Sequence, residues 1–152
     1  MGFRMSDVNP SAEELRALPL GRLLLHAHRR AQAASLAKLQ ASGHADVRLG
    51  HLPVLTGLDP SGTRITELAA RAGMTRQMMG RLVRELEVLG YVGSRPDPTD
   101  QRAVVVTLTD RGAAFLSDAP AAIAEVDSDV ATLLGPADLA KLREMLVRIS
   151  AS

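Results

Sequence analysis

Residues 64–112 read RITELAARAGMTRQMMGRLVRELEVLGYVGSRPDPTDQRAVVVTLTDRG, and the period of their apolar positions changes once along the way. From Ile65 to Leu89 apolar residues recur every three or four positions, which is the spacing of amphipathic helices. Leu68, Ala69 and Ala72 form the stripe of a first helix, for which Thr66 is the expected N-cap. Gly73 ends it in a tight turn. Thr75 then caps a second helix, in which Met79, Leu82, Val83, Leu86 and Leu89 make a core face, and Gly90 ends that one. Two helices joined by a short turn containing glycine form a helix-turn-helix.

After Gly90 the period falls to two. Tyr91–Arg95 is expected as one strand, 96–100 as a polar turn, and the β-branched run from Ala103 to Leu108 as the returning strand. A hairpin directly after a helix-turn-helix makes a winged helix. The predicted fold class is therefore mainly α (α+β), a winged helix-turn-helix with a two-stranded β-wing between N- and C-terminal helices. Upstream, Leu20, Leu24, Ala27, Ala31 and Ala34 place a helix over about 15–42, with Gly43 as its stop. Leu49, Leu52, Leu55 and Leu58 mark a short helix that Pro53 either kinks or helps to start. Asp59-Pro60-Ser61-Gly62 is a loop. Downstream, Thr109 or Asp110 caps a helix running towards Leu134, and Pro120 is expected to kink it or to restart it from Ser117 or Asp118. Gly135-Pro136 turns the chain into a last helix with Leu139, Leu142, Met145, Leu146 and Ile149 on one stripe.

This divides the chain into a mobile arm at 1–14, a winged helix-turn-helix at 46–112, and a helical dimerisation region at 15–45 and 113–152. The 152 residues contain no cysteine, so disulfides, thiolate metal sites and Fe–S clusters are excluded. Hydrophobic residues make up 46%, enough for a globular core. No run is long and apolar enough to span a bilayer, and the first residues lack the apolar core of a signal peptide, so the cytoplasm is the expected location. Aromatic residues are only 2%, which argues against recognising single strands by base stacking.

The formal charge of +1 hides an uneven distribution. The segment 71–84 carries Arg71, Arg76, Arg81 and Arg84 with no acid. If the second helix buries Met79, Leu82, Val83 and Leu86, it turns Arg76, Gln77, Gly80 and Arg84 outward and leaves Met78 and Arg81 near the boundary. Arg pairs with guanine and Gln with adenine in the major groove. Thr75 and the first amides of the helix suit a phosphate. Gly80 allows close approach of DNA or, equally, of a neighbouring helix. In the hairpin, Arg102 is placed to enter a narrow minor groove, Asp100 to orient its guanidinium, and Arg95 to touch the backbone. The predicted DNA-binding set is thus Thr75, Arg76, Gln77, Met78, Gly80, Arg81, Arg84, Arg95, Asp100 and Arg102. Each of these taken singly is also what an ordinary solvated face would carry; the joint pattern is what points to DNA.

The run from about Leu49 to Gly112 resembles the multiple antibiotic resistance regulator (MarR) family. The resemblance rests on Leu-Glu-x-x-Gly-Tyr-Val at 86–92, Asp-Pro-x-Asp-x-Arg at 97–102 and Leu-Thr-Asp-Arg-Gly at 108–112. It implies a homodimer joined by the terminal helices, binding a pseudo-palindromic double-stranded operator, usually as a repressor, and often released by a small-molecule effector. The apolar stripes of the terminal helices agree with a dimer, because they need a partner surface.

The remaining features are weaker. His26 and His28 point to different helix faces and do not chelate together. His44 and His51 flank a segment between helices and could approach a common site, but no metal-ligand spacing accompanies them. Surface or interface polarity is the favoured reading for the histidines, with one His, Arg16 or Arg22 lining an effector pocket as the functional one. Glu85 and Glu87 fall on different helix faces and are read as solvated. No catalytic motif is present, so neither an enzyme nor a cofactor is expected. The alternative function is a winged helix that contacts only proteins.

Overall fold

The computed structural model describes residues 9–152. By contact density the chain divides into a unit ending at Ala33 and a unit from Ala34 to Ser152. In the first, Ser11 and Glu14 form a reciprocal capping box at the start of helix α1, Ala12–Arg16. Of the predicted arm at 1–14, residues 1–8 lie outside the described residues, and the stretch from Ala12 is helical. Helix α2, Leu20–Ala41, begins in this unit and ends in the next.

The second unit holds the core. A 3-10 turn at Leu49–His51 leads into α3, Leu52–Gly57, with Pro53 in its first turn, where a missing N–H costs nothing. Strand β1 is only Thr63–Arg64. The helix pair follows as α4, Ile65–Ala72, and α5, Arg76–Val88. Gly73, at φ 62°, supplies the left-handed turn between them. Thr75 caps α5 through a hydrogen bond from the Met78 amide to its hydroxyl. Thr66 does not cap α4. Arg64 is the N-cap, because pairing of β1 holds it extended right up to Ile65.

The hairpin consists of β2, Val92–Asp97, and β3, Asp100–Leu108. Its register pairs Val92 with Leu108 and Asp97 with Asp100. β1 adds to the other edge of β3, Thr63 opposite Val106, giving a three-stranded antiparallel sheet in the order β1-β3-β2. The two-stranded wing is therefore present, with a third short strand tying its base to the start of α4.

Helix α6, Asp110–Leu134, is capped by Thr109 and runs unbroken through Pro120. Of the two expectations for Pro120, a kink or a restart, the restart does not occur. Phe115, Ala122 and Val126 bury one face of α6 on both sides of the proline, while Pro120 itself is exposed, so packing offsets the lost Leu116 carbonyl bond. A Cβ at Gly112 would overlap the Tyr91 carbonyl oxygen, so glycine lets the first turn of α6 sit on the base of the wing. Helix α7, Pro136–Ser150, buries none of its residues.

The core joins Leu36 and Leu39 of α2, Val54 and Leu55 of α3, Leu68 of α4, Met79, Val83 and Leu86 of α5, Tyr91 just before β2, Val106 of β3, and Phe115 of α6. One polar network crosses it. The Tyr91 hydroxyl donates to Asp46 at 2.8 Å. His44 lies 3.2 Å from that hydroxyl and 2.9 Å from the Asp118 carboxylate, edge-on to Phe115. Arg111 stacks 4.3 Å above the Tyr91 ring and pairs with Asp46. Burial, then the Asp46 bond, push the Tyr91 hydroxyl up to about 12. Among the described residues no helix is long and apolar enough to cross a membrane.

Candidate nucleic-acid interface

The first turn of α5, the start of α4 and the wing meet around a cleft of about 240 Å³. Arg64 lines it from the end of β1, Thr66 and Arg76 from the helices, and Asp100 and Arg102 from β3. A second, shallower groove continues along α5, lined by Arg76, Gln77, Gly80 and Arg84 with Ile65 and Val104. Arg76 belongs to both. The two predicted elements, the start of the second helix and the wing arginine, thus open onto one continuous concave surface.

The predicted residues occupy this surface in different ways. Thr75, Arg76, Gln77 and Met78 are all exposed, and Met78 keeps 55% of its surface open to solvent. Gly80 is buried rather than outward, as the floor of the groove; a Cβ there would come within 3.4 Å of an Arg84 guanidinium nitrogen and 3.8 Å of Ile65. Both distances are ordinary van der Waals contacts, so neither neighbour within the chain requires a glycine here. Arg95 and Arg102 are exposed on the hairpin. Asp100 accepts a hydrogen bond from the Arg102 backbone amide at 3.0 Å. It shapes the turn, in place of the expected hold on the guanidinium.

Two of the four arginines of the segment 71–84 are paired with acids from outside it. Arg71 is held by Asp59 at 2.9 Å and Glu67 at 2.6 Å, and Arg81 by Glu85 at 3.1 Å. All three acids lie outside the 71–84 window. Among the described residues, Arg76, Arg84, Arg95 and Arg102 have no acid within ion-pair distance. These four are the side chains whose charge is uncompensated on this face.

Arg64 was missed by the sequence reading. Its Nε donates to Asp97 at 2.6 Å and its terminal nitrogen to Thr99 at 3.3 Å. The other Asp97 oxygen accepts from the Thr99 amide and hydroxyl, both at 2.8 Å. The Thr99 bonds, with the Arg64 pair behind them, hold the Asp97 carboxyl down at about 2 despite its burial. The wing turn is therefore fastened to the start of α4. The available signal was the Asp-Pro-x-Asp turn, but nothing local named its partner.

The histidines do not share a site. His44 belongs to the Tyr91 network, and His51, 1% exposed, bonds to Glu85 at 3.0 Å. Both are buried, contrary to the surface or interface reading. Glu85 is engaged by His51 and Arg81, and Glu87 accepts from the Ser94 hydroxyl, so neither acid is simply solvated. Among the described residues no group of His, Asp or Glu could hold a metal ion.

A family model described as MarR family matches residues 45–103. The HTH-type transcriptional regulator TcaR of Staphylococcus aureus (strain Newman) is 27% identical over 103 residues, covering 66% of this chain and 68% of TcaR. Among solved structures, the transcriptional repressor CouR bound to a 23-mer DNA duplex is 28% identical with a TM-score of 0.67, over 94% of this chain and 99% of CouR. A MarR family protein of Mycobacterium tuberculosis is 29% identical with a TM-score of 0.66, over 87% of this chain and 94% of the other. The reduced form of MarR from E. coli reaches a TM-score of 0.76 at 22% identity, over 87% and 96% of the two chains.

Proposed function

We propose that this chain, whose residues 45–103 match the MarR family model, is a sequence-specific regulator of transcription of that family that binds double-stranded DNA as a homodimer. The observation that carries the reading is the shared cleft. Arg76, from the first turn of α5, and Arg102, from the wing, line one concavity. Arg76 and Gln77 are set to read base edges in the major groove. The uncompensated guanidinium of Arg102 suits the negative potential of the adjoining minor groove. Thr75, Met78, Gly80, Arg81, Arg84, Arg95 and Asp100 complete the proposed contact surface, Gly80 and Asp100 by shaping it. The similarity to CouR, whose structure contains a DNA duplex, supports this reading.

Residues 46–112 would form the reading head, and 15–45 with 113–152 the dimerisation helices. In support, α7 buries nothing, and Leu142, Met145, Leu146 and Ile149 are exposed along it. Such an apolar face calls for a partner, and a second copy supplies a matching one. We place the protein's action in the cytoplasm, as a repressor relieved by a small-molecule effector. It is not an enzyme and needs no cofactor.

Selection of bound duplexes from a random pool tests the reading. The expected product is an inverted repeat whose half-sites lie about one helical turn apart, roughly 34–36 Å. Recovery of no common sequence, together with no retardation of random duplex at low salt, overturns it.

A further inference from the structure

His51 sits behind α5, and its two ring nitrogens have different partners. Nδ1 lies 3.1 Å from the Arg48 backbone amide. A backbone N–H can only donate, so Nδ1 must carry a lone pair. The ring proton is therefore on Nε2, which donates to Glu85 at 3.0 Å. The other Glu85 oxygen accepts from the Arg81 Nε at 3.1 Å. A weaker approach of the Arg48 guanidinium to Glu85, at 3.8 Å, completes the set. The chain of contacts runs from a buried ring, through a half-buried carboxylate, to a guanidinium whose side chain is 78% exposed on α5.

This arrangement does more than neutralise Arg81. Glu85 is bonded by the Nε of Arg81, and no hydrogen bond from the two terminal nitrogens is found among the described residues, on a side chain 78% exposed. A guanidinium held on one edge by a fixed acceptor loses less freedom when it meets a second anion with the other. We infer that His51 is a positioning residue, which in its Nε2–H form fixes Glu85 so that Glu85 presents Arg81 to a DNA backbone phosphate. The inference rests on the proposed DNA-binding reading and adds to it a residue that does not itself touch DNA. His51 and Arg81 together hold the Glu85 carboxyl below its ordinary value, which keeps it an acceptor at neutral pH.

Two substitutions of His51 separate positioning from packing. His51→Asn places an amide oxygen where Nδ1 was, so the Arg48 amide keeps its acceptor, but it does not reach Glu85. His51→Gln places an amide N–H where Nε2 was and retains that link. Duplex binding is measured as a function of salt for the full chain. Each lost phosphate contact lowers the slope of log K against log salt by about 0.9, so about twice that for two copies on one site. Arg81→Ala and His51→Asn are expected to lose this slope equally, the double variant to lose no more than either, and His51→Gln to restore it. If the Asn variant does not fold, Glu85→Gln serves. It keeps an oxygen for His51 and frees Arg81, so it should weaken binding although it removes a negative charge. Tighter binding by Glu85→Gln, or an unchanged slope for His51→Asn, overturns the relay while leaving DNA binding intact. A wild-type protein that retards no duplex overturns both. The ring nitrogens give a readout independent of DNA. Their 15N shifts should show a protonated Nε2 and a bare Nδ1, and the reverse tautomer contradicts the inference.

Discussion

Arg64 and Asp97 lie 33 residues apart in sequence and 2.6 Å apart in space. Asp97 is the more buried partner, with a side chain 8% exposed against 45% for Arg64. The pair fixes the wing turn to the first residue before α4, and Arg102 follows five residues after Asp97. The angle at which the wing reaches forward is thus set by a carboxylate that faces inward.

Asp97→Asn should therefore be destabilising at neutral pH, and the loss should depend on acid in a defined way. The folded carboxyl sits at about 2, below its ordinary 3.8. Its contribution is present above about pH 4 and is lost as pH falls towards 2. Denaturant unfolding of both proteins across this range should show the wild-type advantage shrinking as the carboxyl protonates. A gap that stays constant with pH would mean that the bonds of Thr99 and Arg64 do not favour the ionised carboxyl.

Tyr91 is the only tyrosine and there is no tryptophan, so its ionisation can be followed directly by ultraviolet absorbance. The hydroxyl should titrate near 12, above the ordinary 10. Because the folded value is raised, stability should fall as pH rises through that interval. Tyr91→Phe should cost about 1–3 kcal/mol, since Asp46 loses a donor at a partly buried site. Titration of the native protein at the ordinary value would mean that the hydroxyl is solvated.

Gly112→Ala should destabilise by about 1–3 kcal/mol or more, because the added methyl meets the backbone oxygen of Tyr91 and no rotamer can relieve it. The signature is a lower denaturant midpoint with an unchanged slope. An unchanged midpoint would contradict the close approach of α6 to the wing base.

Pro120→Ala should act in the opposite direction. The proline sits inside α6 at an exposed position, and alanine restores a backbone bond without disturbing the buried face. A helix-interior proline costs up to ~3 kcal/mol relative to alanine; partial relaxation around it makes a smaller gain the expected one. A lower melting temperature would show that the proline itself is needed for the packing of α6.

Much of this architecture is legible in local sequence. The change of period at Gly90, the Thr75 cap and the turn at Gly73 depend on neighbours within a few residues, and they place the helix pair and the wing. What escapes depends on partners brought together only by folding. β1 is two residues long and exists because β3 passes beside it. His51 meets Glu85 across 34 residues. A charge window ending at Arg84 left out the acids at 59, 67 and 85 that hold Arg71 and Arg81. Periodicity turned Gly80 outward, whereas it is buried on the floor of the groove beside Ile65. At Pro120 the local rule left a kink and a restart open, and burial of α6 on either side decides against the restart.

The central claim is that the α5 start and the wing grip one duplex from a single surface. Binding of the wild-type, Arg76→Ala and Arg102→Ala proteins to the selected operator, measured from low to moderate salt, tests it most directly. Arg102→Ala is predicted to weaken binding to all duplexes and to reduce the salt slope by about 1 per subunit, whereas Arg76→Ala relaxes base preference by about 1–3 kcal/mol at one position of each half-site. If both variants bind operator and random duplex as the wild-type protein does, with the same slope, the cleft is not the DNA-binding surface.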